Sequence, residues 1–436
     1  MIRREILKEV LLDNRNEVVK HQVIPRSFQF EEFGNYVFVG IRRAGKSFLL
    51  YQRIQELLHD GHTWNEMLYV NFEDERLIGM TAADLNLILE VHAEMSTDRP
   101  MLFLDEIQKV PQFEKVVLDE IQNIDGWDKF VRRLADNKYR AYVTGSNAKM
   151  LSQDVATTLG GRYITVHVYP YDFKEFLYAN GVEVTENSLF ATESRAEIKR
   201  IFNDYFRSGG FPEGASLAAK RDYLTSVYQK IYLGDIAARH SIENTFALRI
   251  LFRKLAESIK QPVSFTRITN IVASTGVKIS KNTVINYMEY AKDACLLIPI
   301  QNIADKLVER ETNPKYYFAD NGILNLLLLD ADTSLLENLV AVTLLRRYGT
   351  DDAVFFYNRN VEVDFYLPDT GVAIQVCYTM NLSDETFQRE VQALVKLNKV
   401  FECRQLLIIT YDDEERIELE KCAIEVIPVW KWLLGK

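Results

Sequence analysis

Residues Gly40–Ser47 read GIRRAGKS, and their types and spacing suit one task, holding a chain of phosphates. Glycines at 40 and 45 let the backbone turn where a side chain would forbid it. The N–H groups along Gly40, Ile41, Arg42, Arg43, Ala44, Gly45, Lys46, Ser47 and Phe48 can then point at anionic oxygens. The Lys46 ammonium would reach the terminal phosphates, and the Ser47 hydroxyl would serve Mg²⁺. Such a loop needs a buried strand before it and a helix after it, whose positive end faces the anion. Tyr36–Val39 and Phe48–Leu58 have those patterns. The loop alone does not choose ATP over GTP, but no guanine-reading N-K-x-D string is found, which favours ATP.

Hydrolysis would also require an acid at the end of a neighbouring strand. MLFLDEIQ (Met101–Gln108) has four apolar residues followed by Asp105 and Glu106. Asp105 would sit beside Mg²⁺, and Glu106 would polarise the attacking water. The string LDEIQ recurs at Leu118–Gln122, so Asp119 and Glu120 compete for these roles. Phe113, Val116, Val117, Ile121 and Ile124 follow helical spacing, which makes the second copy read as an amphipathic helix and favours the first. TGSN (Thr144–Asn147) ends another strand, with Ser146 and Asn147 as candidates to sense a phosphate or orient water.

These residues need a scaffold. Apolar runs at Tyr36–Val39, Met67–Phe72, Met101–Leu104, Tyr139–Thr144 and Tyr163–Val168 alternate with helical patterns, as in a parallel sheet covered by helices on both faces. After Pro170 come helical stretches (Phe173–Leu177, Ile198–Phe206 and Tyr223–Ile236) interrupted by SGGFPEG. Three short helical patterns and the run Cys295–Ile300 suit a winged-helix or helix-turn-helix unit. Beyond Asn313, a helix at Leu335–Tyr348 and strands at Ala353–Tyr357, Glu362–Leu367, Val372–Val376 and Gln405–Thr410 suggest a small α/β unit. The expected fold class is α/β with four parts. They are a P-loop domain over 1–172, a helical lid over 173–244, a winged-helix-like unit over 245–312 and a last α/β domain over 313–436.

The 436 residues are 47% hydrophobic and 26% charged, with a net charge of −10. That balance argues against a protein that coats nucleic acid by bulk attraction. No apolar run approaches the ~18 residues needed to cross a bilayer. The first 19 residues read as an amphipathic helix rather than a signal peptide, and four cysteines without a CxxC pair fit a reducing cytosol. A cytoplasmic protein without a membrane partner is expected.

The ordered set GIRRAGKS, LDEIQ, GWDKFVRRLAD (Gly126–Asp136), TGSN, LGGRY (Leu159–Tyr163), YPYDFKEFL, SGGFPEG, YYFADNGI, LLENLV and VEVDFYL resembles the AAA+-like ATPases of bacteria and archaea that carry an uncharacterised C-terminal domain. The resemblance covers nearly the whole chain. It implies that Arg42 stands near the nucleotide and that Arg162 acts as a finger or sensor. In relatives the acidic motif stands closer to GWDKFVRR, so Lys109–Gln122 looks like an insertion and Asp119 stays in play. The last domain of such proteins resembles a PD-(D/E)XK nuclease. Glu337 and Asp364 match its first two acids, but IQVCY (Ile374–Tyr378) places Gln375 and Cys377 where glutamate and lysine belong. An amide is a poor Mg²⁺ ligand and a thiol carries no positive charge, so a restriction-endonuclease-like fold without nuclease activity is implied.

Between Ser241 and Arg310, ten Lys+Arg face six Asp+Glu. In SKNTVINYMEYAK, Ser280 would cap a helix burying Val284, Tyr287, Met288 and Ala291, with Lys278, Lys281 and Asn282 at its start. DNA is one partner that this region could meet; protein docking is the other reading. The expected activity is that of a nucleotide-dependent switch that hydrolyses ATP through Lys46, Ser47, Asp105 and Glu106. The rivals are a DNA-processing ATPase and a regulatory or defence-type scaffold controlled by self-association.

Overall fold

The structure is a computed structural model that describes residues 3–110, 126–145, 159–185, 187–349, 352–380, 385–420 and 422–435. The chain forms two compact units, Met1–Val168 and Tyr169–Lys436.

In the first unit, strands β1 (Tyr36–Val39), β2 (Met67–Asn71), β3 (Met101–Asp105), β4 (Ala141–Gly145) and β5 (Ile164–His167) build a sheet of order β2-β3-β4-β1-β5. Every pairing is parallel. Each strand stands within two residues of an apolar run in the sequence. Helix α1 (Arg4–Lys20) precedes the sheet, and the crossovers that parallel neighbours need include helices α2 (Lys46–His59), α3 (Asn86–Met95) and α4 (Trp127–Asp136).

Period-two alternation gives the two faces different chemistry. Val37, Val39, Leu68, Val70, Leu102, Leu104 and Val143 point to an aliphatic core with Leu7 and Val10 of α1, Ile88 and Val91 of α3, and Phe130 of α4. The opposite face is aromatic. Tyr36, Phe38 and Tyr142 stack at 5.6–5.8 Å, Phe103 stacks on Tyr142 at 4.6 Å, and Phe28 and Phe30 lie edge-on against them. Helix α2 covers part of this face through Tyr51, which meets Tyr69.

In the second unit, helices lead into an eight-stranded sheet. Its strands are β6 (Leu297–Asn302), β7 (Lys315–Phe318), β8 (Phe355–Asn358), β9 (Glu362–Leu367), β10 (Val372–Val376), β11 (Gln405–Thr410), β12 (Glu415–Glu418) and β13 (Ala423–Pro428), in the order β12-β13-β11-β10-β9-β8-β6-β7. Strand β6 pairs with β7 on one side and β8 on the other, so the sheet runs through residue 312. Helices Phe265–Ser274 and Lys281–Asp293 precede β6. Ser280 Oγ accepts the Thr283 N–H at 3.1 Å, and Val284, Tyr287, Met288 and Ala291 are buried, as their spacing predicts.

SGGFPEG is locked to the FADNG segment. The Gly210 N–H and the Gly322 N–H donate to the Asp320 carboxylate at 2.8 and 2.7 Å. A Cβ on Gly209 would lie 1.8 Å from Asp320 Oδ1, and its φ is +71°, so glycine is required there.

Candidate nucleotide site

The loop leaves the C-terminal end of β1 and runs into α2 without a break. Gly40 has no room for a side chain: an added Cβ would stand 2.0 Å from the Val168 carbonyl oxygen. Arg43 (φ +65°) and Gly45 (φ +92°) adopt left-handed backbone, which turns the chain back on itself ahead of the helix. Ile41 and Ala44 are buried and fasten the loop to the core. Arg42 is half-buried, while Arg43 and Phe48 are exposed. The Phe48 ring meets His21 at 5.5 Å and Tyr51 at 5.3 Å.

Lys46 is 4% exposed, and its ammonium donates to the Gly40 and Ile41 carbonyls at 3.0 and 3.2 Å. A buried ammonium bonded to neutral carbonyls retains most of its charge for a ligand. Arg26, on the segment before β1, donates to the Ala44 carbonyl at 2.6 Å, and its backbone exchanges hydrogen bonds with the Gln52 amide of α2. The loop is therefore held from both sides.

Strand β4 lies between β1 and β3 and links the loop to the acids. Asp105 ends β3 and is buried; its carboxylate accepts bonds from the hydroxyls of Tyr69 at 2.9 Å, of Thr144, and of Ser47. Burial pushes its pKa upward, and those hydroxyls and the Lys46 charge pull it back. Glu106 follows in left-handed backbone (φ +54°), with its N–H donated to Thr144 Oγ1 at 2.9 Å. Thr144 thus bonds both acidic residues. Burial also raises the Glu106 pKa, with Lys46 opposing the shift and Asp105 adding to it. A raised value suits a carboxylate that must accept a proton.

The structure thus brings Lys46, Ser47, Asp105 and Glu106 to one edge of the sheet. It does not bring Arg162 there. Arg162 precedes β5, and the register Tyr36↔Ile164 puts it at the N-terminal end of the strands. Four strand residues, roughly 13 Å, separate that level from the loop. Its guanidinium pairs with Asp136 and donates to the Gly160 carbonyl at 3.4 Å. A sensor role within the same chain is therefore excluded by strand direction. Asn147, Ser146, Asp119 and Glu120 lie outside the described residues. Sequence reasoning missed Tyr69 and Thr144 as holders of Asp105, because only strand register brings β2 and β4 to it.

The donor set fits Mg²⁺ chemistry: a hydroxyl and a carboxylate in mutual contact, beside a glycine-only turn and a buried ammonium. No helix among the described residues is long and apolar enough to cross a membrane.

An AAA domain family matches residues 33–117 and 114–177, two overlapping pieces that meet beside the second LDEIQ. A family described as a domain of unknown function matches residues 199–335. An uncharacterized protein of Methanocaldococcus jannaschii is 34% identical over 451 aligned positions, covering 100% of this chain and 96% of its own. An uncharacterized protein of Haemophilus influenzae is 30% identical, covering 91% of this chain and 94% of its own. Among solved structures, a Walker-type ATPase of Pyrococcus abyssi overlaps 75% of this chain and 96% of its own, with 16% identity and a TM-score of 0.38. With full-length relatives at this identity, the chain belongs to the same family as these archaeal and bacterial proteins, and its first unit carries an AAA domain.

Proposed function

We propose that this protein is an ATP- and Mg²⁺-dependent switch that hydrolyses its nucleotide. One observation carries the reading: the buried Lys46 ammonium, facing neutral carbonyls, stands beside the linked Ser47 and Asp105 at the end of a glycine-only turn. Lys46 and the loop amides would bind the β- and γ-phosphates of ATP. Ser47 and Asp105 would hold Mg²⁺, which when bound neutralises phosphate charge. Glu106, whose carboxyl feels the Lys46 charge, would take a proton from the attacking water.

The test is equilibrium binding of a fluorescent ATP analogue with Mg²⁺ present. Saturable binding is expected, weakened about 10- to 100-fold in Lys46→Ala, the loss that charge-assisted bonds of this kind carry. No saturable binding by the parent protein would end the reading.

For the second unit we infer a nuclease-like form without nuclease activity. Asp364 and Gln375 fall on adjacent antiparallel strands β9 and β10, and Glu337 on the helix Asp332–Tyr348. Cys377 keeps its proton, because burial pushes its pKa up to about 11, and it donates to the Thr379 carbonyl at 3.0 Å. It supplies no positive charge.

A DNA-binding role has its own support. On and between the two helices before β6, Arg267, Asn270, Lys278, Lys281, Asn282 and Asn286 are all exposed. Amide and cationic side chains at a helix start suit contacts with phosphates and base edges. ATPase rates with and without duplex DNA would test it: stimulation is expected, and a loss of stimulation in Lys278→Glu/Lys281→Glu would assign it to this face. In the rival scaffold reading, ATP alone changes self-association, which sizing with and without nucleotide would reveal.

A further inference from the structure

The sheet of the second unit contains a fully buried lysine outside every motif described above. Lys315, the first residue of β7, is 0% exposed. Its ammonium stands 3.0 Å from Glu362 Oε1, 3.4 Å from Glu337 Oε1 and 3.6 Å from Asp364 Oδ1. An ammonium has three N–H bonds, and here three carboxylates surround it. Two of them, Glu337 and Asp364, are the acids expected to hold a metal.

Two of these carboxylates accept further hydrogen bonds, while Glu362 is partly open to solvent. The Tyr317 hydroxyl donates to Glu337 Oε1 at 2.8 Å, and the Val376 N–H donates to Asp364 Oδ2 at 2.9 Å. Gln375 cannot turn to help a metal. Its carbonyl oxygen accepts the Asp364 N–H at 2.8 Å, and its amide nitrogen donates to the Glu362 carbonyl and to Glu390. Burial drives the carboxyls of Glu337 and Asp364 towards their neutral forms, and the lysine charge opposes that shift. The same carboxylates hold Lys315 in its charged form.

We propose that Lys315 is a resident cation that takes the place of a divalent metal in this carboxylate cluster and closes it to metal-dependent phosphodiester chemistry. The inference builds on the reading of this unit as nuclease-like but silent, and explains the silence by occupation rather than by the missing glutamate alone. Withdrawing the ammonium leaves three carboxylates converging on one vacated position. Hard oxygen ligands of that kind attract Mg²⁺, Mn²⁺ or Ca²⁺.

The experiment titrates nucleotide-free, full-length protein with MnCl₂ by calorimetry and follows its melting midpoint. Lys315→Ala and Lys315→Met are each expected to bind about one Mn²⁺ more tightly than the parent protein. At a hundredfold excess over Kd, their midpoints should rise by on the order of 5 °C. The parent midpoint should stay fixed, and adding Asp364→Asn to Lys315→Ala should abolish the gain. Failure of both single variants to take up more Mn²⁺ than the parent overturns the proposal. Should Lys315→Ala unfold without metal, recovery on refolding with Mn²⁺ but not with Na⁺ supports it, and recovery with neither counts against it. DNA cleavage by the parent protein with Mn²⁺, lost in Asp364→Ala, would overturn both the silent reading and this inference. A silent parent whose lysine variants ignore Mn²⁺ overturns the inference alone.

Discussion

Among the described residues each unit buries one lysine beside acidic groups, and the two lysines are in opposite states. Lys46 gives its hydrogen bonds to the Gly40 and Ile41 carbonyls, which are neutral. Lys315 gives its charge to Glu337, Glu362 and Asp364. A carbonyl satisfies an ammonium's geometry but not its charge, whereas a carboxylate satisfies both. Lys46 thus feels Asp105 and Glu106 without bonding either and leaves its charge open to an anionic ligand, whereas Lys315 is in contact with its anions. Burial of a charge does not distinguish a binding site from a structural ion pair; the partner's charge does.

The largest expected effect concerns the acid beside Lys46. Glu106→Gln should lower the rate of ATP hydrolysis by about 10²- to 10⁴-fold, the usual contribution of a placed general base. Nucleotide affinity should be nearly unchanged, because the amide leaves Lys46, Ser47 and the loop intact. Single-turnover hydrolysis beside equilibrium binding separates the two quantities. A parallel loss of affinity would instead make Glu106 part of the metal site.

Next comes the cross-comparison of stability. Without added metal, Lys315→Ala should destabilise the protein by about 3–5 kcal/mol, as expected when one partner is removed from a buried ion cluster. Lys46→Ala breaks two bonds to neutral carbonyls and should cost about 1 kcal/mol or less. Urea unfolding with and without ATP would show it. If the two variants were equally destabilised, the contrast between the sites would be lost.

How much of this was open to reading in the residues alone follows from the range over which each feature is encoded. The phosphate loop is contiguous, so Gly40, Lys46 and Ser47 declare themselves, and Asp105 announces itself as the acid ending an apolar run. Strands β9, β10 and β11 coincide with the apolar runs that predict them, and the five strands of the first sheet nearly so. What stayed hidden depends on register. Tyr69 and Thr144 reach Asp105 only because β2 and β4 flank β3. Lys315 looks like an ordinary charged residue at a strand start until the fold carries it to Glu337, Glu362 and Asp364. Arg162 was misplaced for the same reason: its motif does not reveal which end of the strand it occupies.

A smaller effect is expected at one of those hidden residues. Tyr69→Phe removes the hydroxyl that reaches Asp105 Oδ2 at 2.9 Å and leaves the ring in the aromatic face. The loss of one hydrogen bond to a carboxylate is about 1–2 kcal/mol, so half-saturation by Mg²⁺ should rise by roughly 5- to 30-fold. ATP affinity measured without metal should not move. A change in both would mean that Tyr69 shapes the whole loop rather than the position of Asp105.

The smallest effect is a pH dependence whose sign differs between activity and stability. Burial raises the Glu106 pKa, and Lys46 holds that rise in check. The folded value therefore lies above that of the unfolded chain. Its contribution to stability is present at pH values below the ordinary glutamate range and is lost as the pH climbs through the raised folded value. The proton acceptor appears over that same interval, so hydrolysis should increase while stability falls slightly. Glu106→Gln should flatten the activity profile and remove the Glu106 share of the stability profile, since the amide does not titrate, while buried carboxyls such as Asp320 and Glu337 keep theirs. Lys46→Ala removes the opposing charge and should shift the stability profile to higher pH. Urea midpoints from pH 4 to 8 for the parent and both variants would check this. A Lys46→Ala profile that does not move would mean that the ammonium and Glu106 do not sense one another, and the first unit would lose the feature that sets it apart from the second.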